Sequence, residues 1–281
     1  MKRLVAGLAL AAAVAAASGC SSSSGGQTHS SDAQQTGAGG TAALAAQPPA
    51  GSLGARSGVR LAFQASPADG VALVGVADGF FRADLGDGAG LNPVQMTSSA
   101  AAEALAQGRV DAAYLSPVAA VQAWQLTHGR IRVLAGAASA AGQSTLVLAV
   151  SERLLLGHPL WVQGLLKGQI QAFRLLTSDA ASGRRLAAAE LSDLGRKTSS
   201  QQFARAVTAV TFTCDPLTTS VLGQARHAAA AHTLRAVGSL TAMYDLVPVD
   251  VLLRSATHPQ RLIAQLTPAG WAETFGHRAA A

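Results

Sequence analysis

Apolar and polar positions divide the 281-residue chain into stretches of different texture. Residues 4–17 form an unbroken apolar run, and residues 21–57 carry almost no bulky apolar side chain. From residue 59, short apolar runs alternate with helix-spaced ones. Val59-Arg60-Leu61-Ala62-Phe63 predicts a strand, residues 64–70 a loop, and residues 71–81 a helix with Leu73, Ala77 and Phe80 on one face. Pro93-Val94-Gln95-Met96 predicts a second strand. A helix over about 100–107 follows, closed by Gly108, which suits the left-handed position after a helix. Residues 111–115 predict a third strand, and Pro117 stands where a helix's first turn accepts proline. That helix continues through Val121, Trp124 and Gln125 until Gly129, and residues 131–135 predict a fourth strand. Residues 145–153 read as a further strand. After His158-Pro159, the residues Val162, Leu166, Ile170, Phe173 and Leu176 form the core-facing stripe of a long helix. Repeated strand–helix units with short loops imply an α/β fold whose mainly parallel sheet is covered on both faces.

Composition narrows the classes. At 49% hydrophobic and 13% charged residues, the chain can bury a core, which excludes wholesale disorder. No apolar run reaches the ~18–20 residues of a spanning helix, which excludes a polytopic membrane protein. The net charge of +6 is carried almost entirely by arginine, since only Lys2, Lys167 and Lys197 are lysine. These charges are scattered along the sequence without aromatic interleaving, so no nucleic-acid partner is expected.

The N-terminus reads as an address. Lys2 and Arg3 precede the 14-residue apolar run, and Ala17-Ser18-Gly19-Cys20 follows. Small residues after a short apolar stretch signal secretion. Cys20 at the cut resembles a bacterial lipoprotein box, with alanine where leucine is usual. The alternative is an ordinary signal peptide beside a chance cysteine. With Cys20 lipidated, only Cys214 remains, and no intramolecular disulfide can form. Residues 21–57 then act as a tether of 37 residues, spanning roughly 35 Å as a flexible coil. The domain is expected over 58–255 and a tail over 256–281.

The loops after the predicted strands share a residue type. Ser66 follows the first strand, Ser98 and Ser99 the second, Ser116 the third and Ser139 the fourth. In a parallel sheet ligands sit beyond the carboxyl ends of the strands. A serine at a helix start caps the helix, and free N–H groups there favour an anion. Capping alone is the competing reading for each. Asp69-Gly70 also lies in the first loop, although an acidic side chain argues against an anion at that spot.

Collinear motifs resemble a known family. The run from Ala72-Leu73-Val74-Gly75 to Asp78-Gly79-Phe80-Phe81 is similar to the first helix of nitrate/sulfonate/taurine-type solute-binding proteins of ABC importers. Ala102-Glu103-Ala104-Leu105, Gly108-Arg109-Val110-Asp111 and Ser116-Pro117 are similar to its second helix, third strand and ligand-facing turn. Arg132-Val133-Leu134-Ala135-Gly136-Ala137 resembles the next strand. Thr213-Cys214-Asp215-Pro216-Leu217 and Tyr244-Asp245-Leu246 resemble signatures of the aliphatic-sulfonate branch. The resemblance implies a type II periplasmic-binding-protein-like lobe, a small anionic solute, and permease and ATPase partners. Ligand contacts are expected at Ser66, Gly70, Ser98, Ser99, Ser116, Pro117 and Ser139, of which Ser116-Pro117 falls at the ligand-facing turn of the resembled family. The chain departs from the family near 138–145, where a second lobe of roughly domain size would be inserted and only a short link stands.

No catalytic constellation, cofactor fingerprint or metal-ligand spacing emerges. Cys214 stands alone beside Asp215-Pro216, which reads as a helix cap and first turn. His227 and His232 are five apart, poorly placed for one helix face, and His158 and His258 each precede proline. Two functions are expected from these readings. One is a lipid-anchored, extracytoplasmic solute-binding component for a sulfonate-like anion. The other is an interaction or regulatory lipoprotein of that descent, with weakened ligand capture.

Overall fold

The computed structural model describes residues 58–86 and 88–257, the last three by backbone alone. The leader, Cys20, the tether, His258 and nearly all of the tail lie outside the described residues. Among the described residues, six strands form one sheet in the order β2-β1-β3-β5-β4-β6. They are β1 Gly58–Phe63, β2 Gly90–Gln95, β3 Ala112–Leu115, β4 Ile131–Ala140, β5 Gln143–Ser151 and β6 Thr211–Phe212. β1 pairs in parallel with β2 and β3, while β5 is antiparallel to β3 and β4, and β6 is antiparallel to β4. Strands β1–β4 therefore run one way, β5 returns, and the two-residue β6 adds an antiparallel edge. This is the mainly parallel α/β sheet that the strand–helix alternation implies.

The first predicted helix is two helices. α1 (Gly70–Ala77) stops at Asp78, Gly79 takes a left-handed φ of 72°, and α2 (Phe80–Leu85) starts in a new direction. Glycine adopts that conformation without a Cβ penalty. β2 starts at Gly90, three residues before the predicted strand, and contains Pro93. It is the outermost strand, where a missing N–H on the unpaired side removes no ladder bond. α3 (Ser98–Ala106) and α4 (Pro117–Leu126) follow β2 and β3 as the sequence pattern predicts.

β4 runs five residues beyond the predicted end. Its continuation, Gly136-Ala137-Ala138-Ser139-Ala140, lacks the bulky alternation that marks a strand in sequence, yet pairs with β5 through bulges. Ala141 and Gly142, with φ of 48° and 73°, form a two-residue turn directly into β5. Positive φ at both central residues matches the strand twist of a tight hairpin. Five further helices complete the described chain up to α10: α5 (Glu152–Gly157), α6 (Pro159–Ser178), α7 (Ala180–Asp193), α8 (Ser200–Ala206) and α9 (Thr218–Ala230), then α10 (Val247–Thr257). No helix among the described residues is long and apolar enough to cross a membrane. Asp215-Pro216 does not start α9. Asp215 Oδ1 accepts from the Leu217 N–H at 2.8 Å, and the helix begins at Thr218 after a left-handed Leu217. The short side-chain bond offers the backbone a turn in place of a cap.

Each face of the sheet carries its own core. Phe63, Leu73, Phe81, Tyr114, Leu134, Leu148, Leu165 and Phe203 fill one face, under α1, α2, α6 and α7. Of the predicted α6 stripe, Val162, Leu166, Ile170 and Leu176 are buried there and Phe173 is half-buried. The other face, under α3, α4 and α9, is built mainly of alanine and valine. A polar link crosses the first face: Tyr114 OH donates to Gln169 Oε1 at 3.0 Å, and Gln169 Nε2 donates to the Gly136 carbonyl at 2.5 Å. Both side chains are buried, and the link satisfies them where water cannot.

Candidate ligand rim

The carboxyl ends of β1, β2 and β3 lie side by side, because β1 is central to the parallel trio. The Met96 N–H donates to the Phe63 carbonyl at 3.1 Å, extending the β1–β2 ladder into the rim. Ser98 Oγ accepts the Ser116 N–H at 2.7 Å, tying the start of α3 to the residue that caps α4. Ser116 caps α4, with its Oγ 3.4 Å from the Ala119 nitrogen, and Pro117 is buried at the first helical position. The cap of α3 is Thr97, which the sequence reading passed over. Thr97 Oγ1 accepts from the Ala100 N–H at 3.4 Å and pairs with the exposed Ser99 hydroxyl at 3.3 Å. Its signal was local: a threonine just before an alanine-rich helical run. Thr97, Ser98, Ser99 and Ser116 thus gather at two adjacent helix starts.

The first loop is arranged differently. Asp69, only 2% exposed, sits at the start of α1. Its Oδ2 accepts the Ser66 hydroxyl at 2.6 Å, and its Oδ1 accepts the Gln64 N–H at 3.2 Å. Burial pushes its carboxyl up to about 6, against the opposing pull of these two hydrogen bonds. A helix N-terminus favours negative charge, and here the chain's own carboxylate occupies that position. Gly70 is buried rather than open to the rim. A side-chain carbon there would lie 2.7 Å from the Phe212 ring and 3.3 Å from that of Phe203. β6 and α8 therefore close the start of α1.

Ser139 does not join the other serines. It is buried within β4, pairs with Thr211 of β6, and donates to the Thr211 carbonyl at 3.4 Å. Through β5, the end of β3 at Leu115 is level with Gly136, so Ser139 stands three residues further along, roughly 10 Å. The apolar alternation in the sequence stops at residue 135, which leaves Ser139 just beyond the predicted strand end.

A cleft of about 580 Å³ opens where the first turn of α4, the start of β5 and α9 meet, lined by Val118, Gln143, Ser220, Gln224 and His227. Ser220 Oγ accepts the Ser144 N–H at 3.0 Å, and Gln224 Nε2 donates to the Ser144 carbonyl at 2.8 Å. Ser144 Oγ beside them is buried without a hydrogen-bond partner among the described residues. The cleft adjoins the start of α4 through Val118, and its lining is mostly apolar. Cys214 is buried, and burial pushes its thiol up to about 12, so it is not primed as a nucleophile.

No protein-family model matches the chain, and no curated protein matches it by sequence. Its fold matches solved structures. A Candida albicans gene product with the generic periplasmic binding protein fold matches with a TM-score of 0.54 at 8% identity, over 67% of this chain and 96% of that one. The alkanesulfonate-binding protein SsuA from Xanthomonas axonopodis pv. citri, bound to MOPS, matches with a TM-score of 0.53 at 11% identity, over 68% of this chain and 99% of that one. A zinc-bound ligand-binding component of an ABC-type import system from Staphylococcus aureus matches with a TM-score of 0.53 at 9% identity, over 69% and 98%.

Proposed function

We propose, from the periplasmic-binding-protein-like α/β fold of the described domain, that the chain is an extracytoplasmic solute-binding component of an ABC importer, anchored by a lipid on Cys20 and specific for a small sulfonate-like anion. The supporting observation is the gathering of Thr97, Ser98, Ser99 and Ser116 at two open helix starts, beside a cleft. Hydroxyls and helix N-terminal amides hold an anion without a full counter-charge. The similarity to alkanesulfonate-binding and import components supports the solute class and the transporter partners.

In this reading the domain is a single lobe, because β4 turns straight into β5 at Ala141-Gly142, where the resembled family inserts a second lobe. Binding sites for small molecules bury most of the ligand, and one lobe buries less. Loss of about 4 kcal/mol of contacts raises the dissociation constant roughly a thousandfold. Calorimetry with alkanesulfonates is expected to show weak binding that Ser98→Ala and Ser116→Ala weaken further. Tight binding by the monomer would overturn the one-lobe reading. A second reading, an interaction lipoprotein that has lost solute capture, is favoured by one observation: Asp69, Phe203 and Phe212 fill the start of α1 from within. Absence of binding to sulfonates, nitrate and taurine alike would select it. The anchor is tested separately, by loss of acyl labelling in Cys20→Ala.

A further inference from the structure

The edge of the sheet opposite the rim carries a row of arginines. Backbone bonds align it: the Asp111 N–H donates to the Arg60 carbonyl, the Ser151 N–H to the Asp111 carbonyl, and the Glu152 N–H to the Arg130 carbonyl. Arg60, Arg109, Arg130, Arg132 and Arg153 thus cluster around the amino ends of β1, β3 and β4, although they are far apart in sequence. Two carboxylates stand among them between β1 and β4. Asp111 pairs with Arg60 at 2.9 Å and Glu152 with Arg132 at 2.8 Å. Arg109, Arg130 and Arg153 are left without a carboxylate partner among the described residues. Arg130 and Arg153 are exposed and line a shallow hollow of about 400 Å³ together with Leu156.

Three exposed leucines stand at the same edge. Leu126 ends α4, Leu156 lies in α5 and Leu160 opens α6; they are 48%, 57% and 50% exposed. Basic side chains interleaved with projecting apolar ones make a surface suited to anionic lipid headgroups over acyl chains. The direction of the chain favours the same partner. β1 begins at Gly58 on this edge, so the residues leading from Cys20 enter the domain beside the arginine row.

We propose that this amino edge is a membrane-docking face, on which the domain rests against an anionic bilayer when it is not engaged by its permease. The resting position follows from the lipid-anchor reading, whereas the affinity of the face for anionic lipid does not. A basic residue close to an anionic bilayer strengthens partitioning about fivefold, so three together contribute about a hundredfold. The attraction fades as salt shortens the Debye length.

The test uses the unacylated full chain and sedimentation with phosphatidylglycerol or phosphatidylcholine vesicles. The parent is expected to prefer phosphatidylglycerol in a salt-dependent manner. The triple variant Arg109→Gln, Arg130→Gln, Arg153→Gln is expected to lose about a hundredfold of that partitioning. A charge-matched variant, Arg184→Gln, Arg205→Gln, Arg226→Gln, alters exposed arginines of α7, α8 and α9 and is expected to bind as the parent does. Equal loss in both variants, or parent binding indifferent to lipid charge, overturns the proposal and leaves an acidic protein partner as the occupant to seek. Because every chain here is unacylated, a failed acyl-labelling result with Cys20→Ala would remove the anchor and leave this outcome standing.

Discussion

The two faces of the sheet reach the same degree of burial by opposite means. One is filled by large side chains such as Phe63, Phe81, Tyr114 and Phe203, and needs the Tyr114–Gln169–Gly136 link to satisfy its polar groups. The other is filled by Ala62, Ala101, Ala102, Ala104, Ala113, Ala120 and Ala123, which let α3 and α4 lie close to the strands. The rim inherits this difference. On the alanine side the helices start from capped, solvent-reaching hydroxyls, while on the bulky side the start of α1 is plugged by Asp69 and covered by Phe203 and Phe212. Large side chains thus stabilise one half of the rim by closing it, and small ones leave the other half open for a ligand.

Removing a plug should break the contrast most sharply. Phe203→Ala leaves a cavity under a fully buried ring and is expected to cost about 3–5 kcal/mol, read as a lowered urea midpoint with an unchanged slope. A loss below about 1 kcal/mol would show that α8 collapses onto the space and that the bulky face is not tightly packed.

Asp69 gives the bulky side a pH dependence in the acid range. Its folded-state carboxyl titrates near 6, above the ordinary 3.8, so the folded chain keeps a proton that the unfolded chain has released. The associated stability is present below the unfolded value and is lost as pH rises through about 6, by up to about 3 kcal/mol. Asp69→Asn should flatten this part of the stability profile. A variant retaining the parent slope between about pH 4 and 6 would assign it to another group.

The alanine face should resist growth instead of loss. Ala120→Leu forces added volume between α4 and the sheet and is expected to cost about 1–3 kcal/mol. Unchanged thermal stability would mean that the close approach of α4 is not packing-limited. The smallest effect is expected at the open half of the rim. Ser116→Ala removes the α4 cap and should cost about 1 kcal/mol, while sparing the pH profile set by Asp69.

Much of this architecture could be read from the residues in order. Apolar alternation at 59–63, helical spacing after Pro117 and the stripe from Val162 to Leu176 are local patterns, and local patterns survive without tertiary information. The serine at 116 was legible for the same reason, since a helix start is announced by the residue that caps it, whereas at α3 that residue is Thr97 and not Ser98. The extension of β4 through Gly136-Ala137-Ala138-Ser139-Ala140 was not legible, because small residues hold a strand only when a neighbour pairs with them.

The same limit governs the site and the opposite edge. That Asp69 turns inward, that Phe212 lies over Gly70, and that Ser139 leaves the rim for β6 each depend on segments far apart in sequence. The arginine row is the same kind of fact: Arg60, Arg109, Arg130 and Arg153 look scattered along the chain and become neighbours only when the sheet aligns their strands. The sequence by itself determined where most strands and helices begin, since those choices depend on neighbours a few positions away. Which helix start stays open, and which charges share an edge, was decided by tertiary structure alone, because contact between distant residues exists only once the sheet has formed.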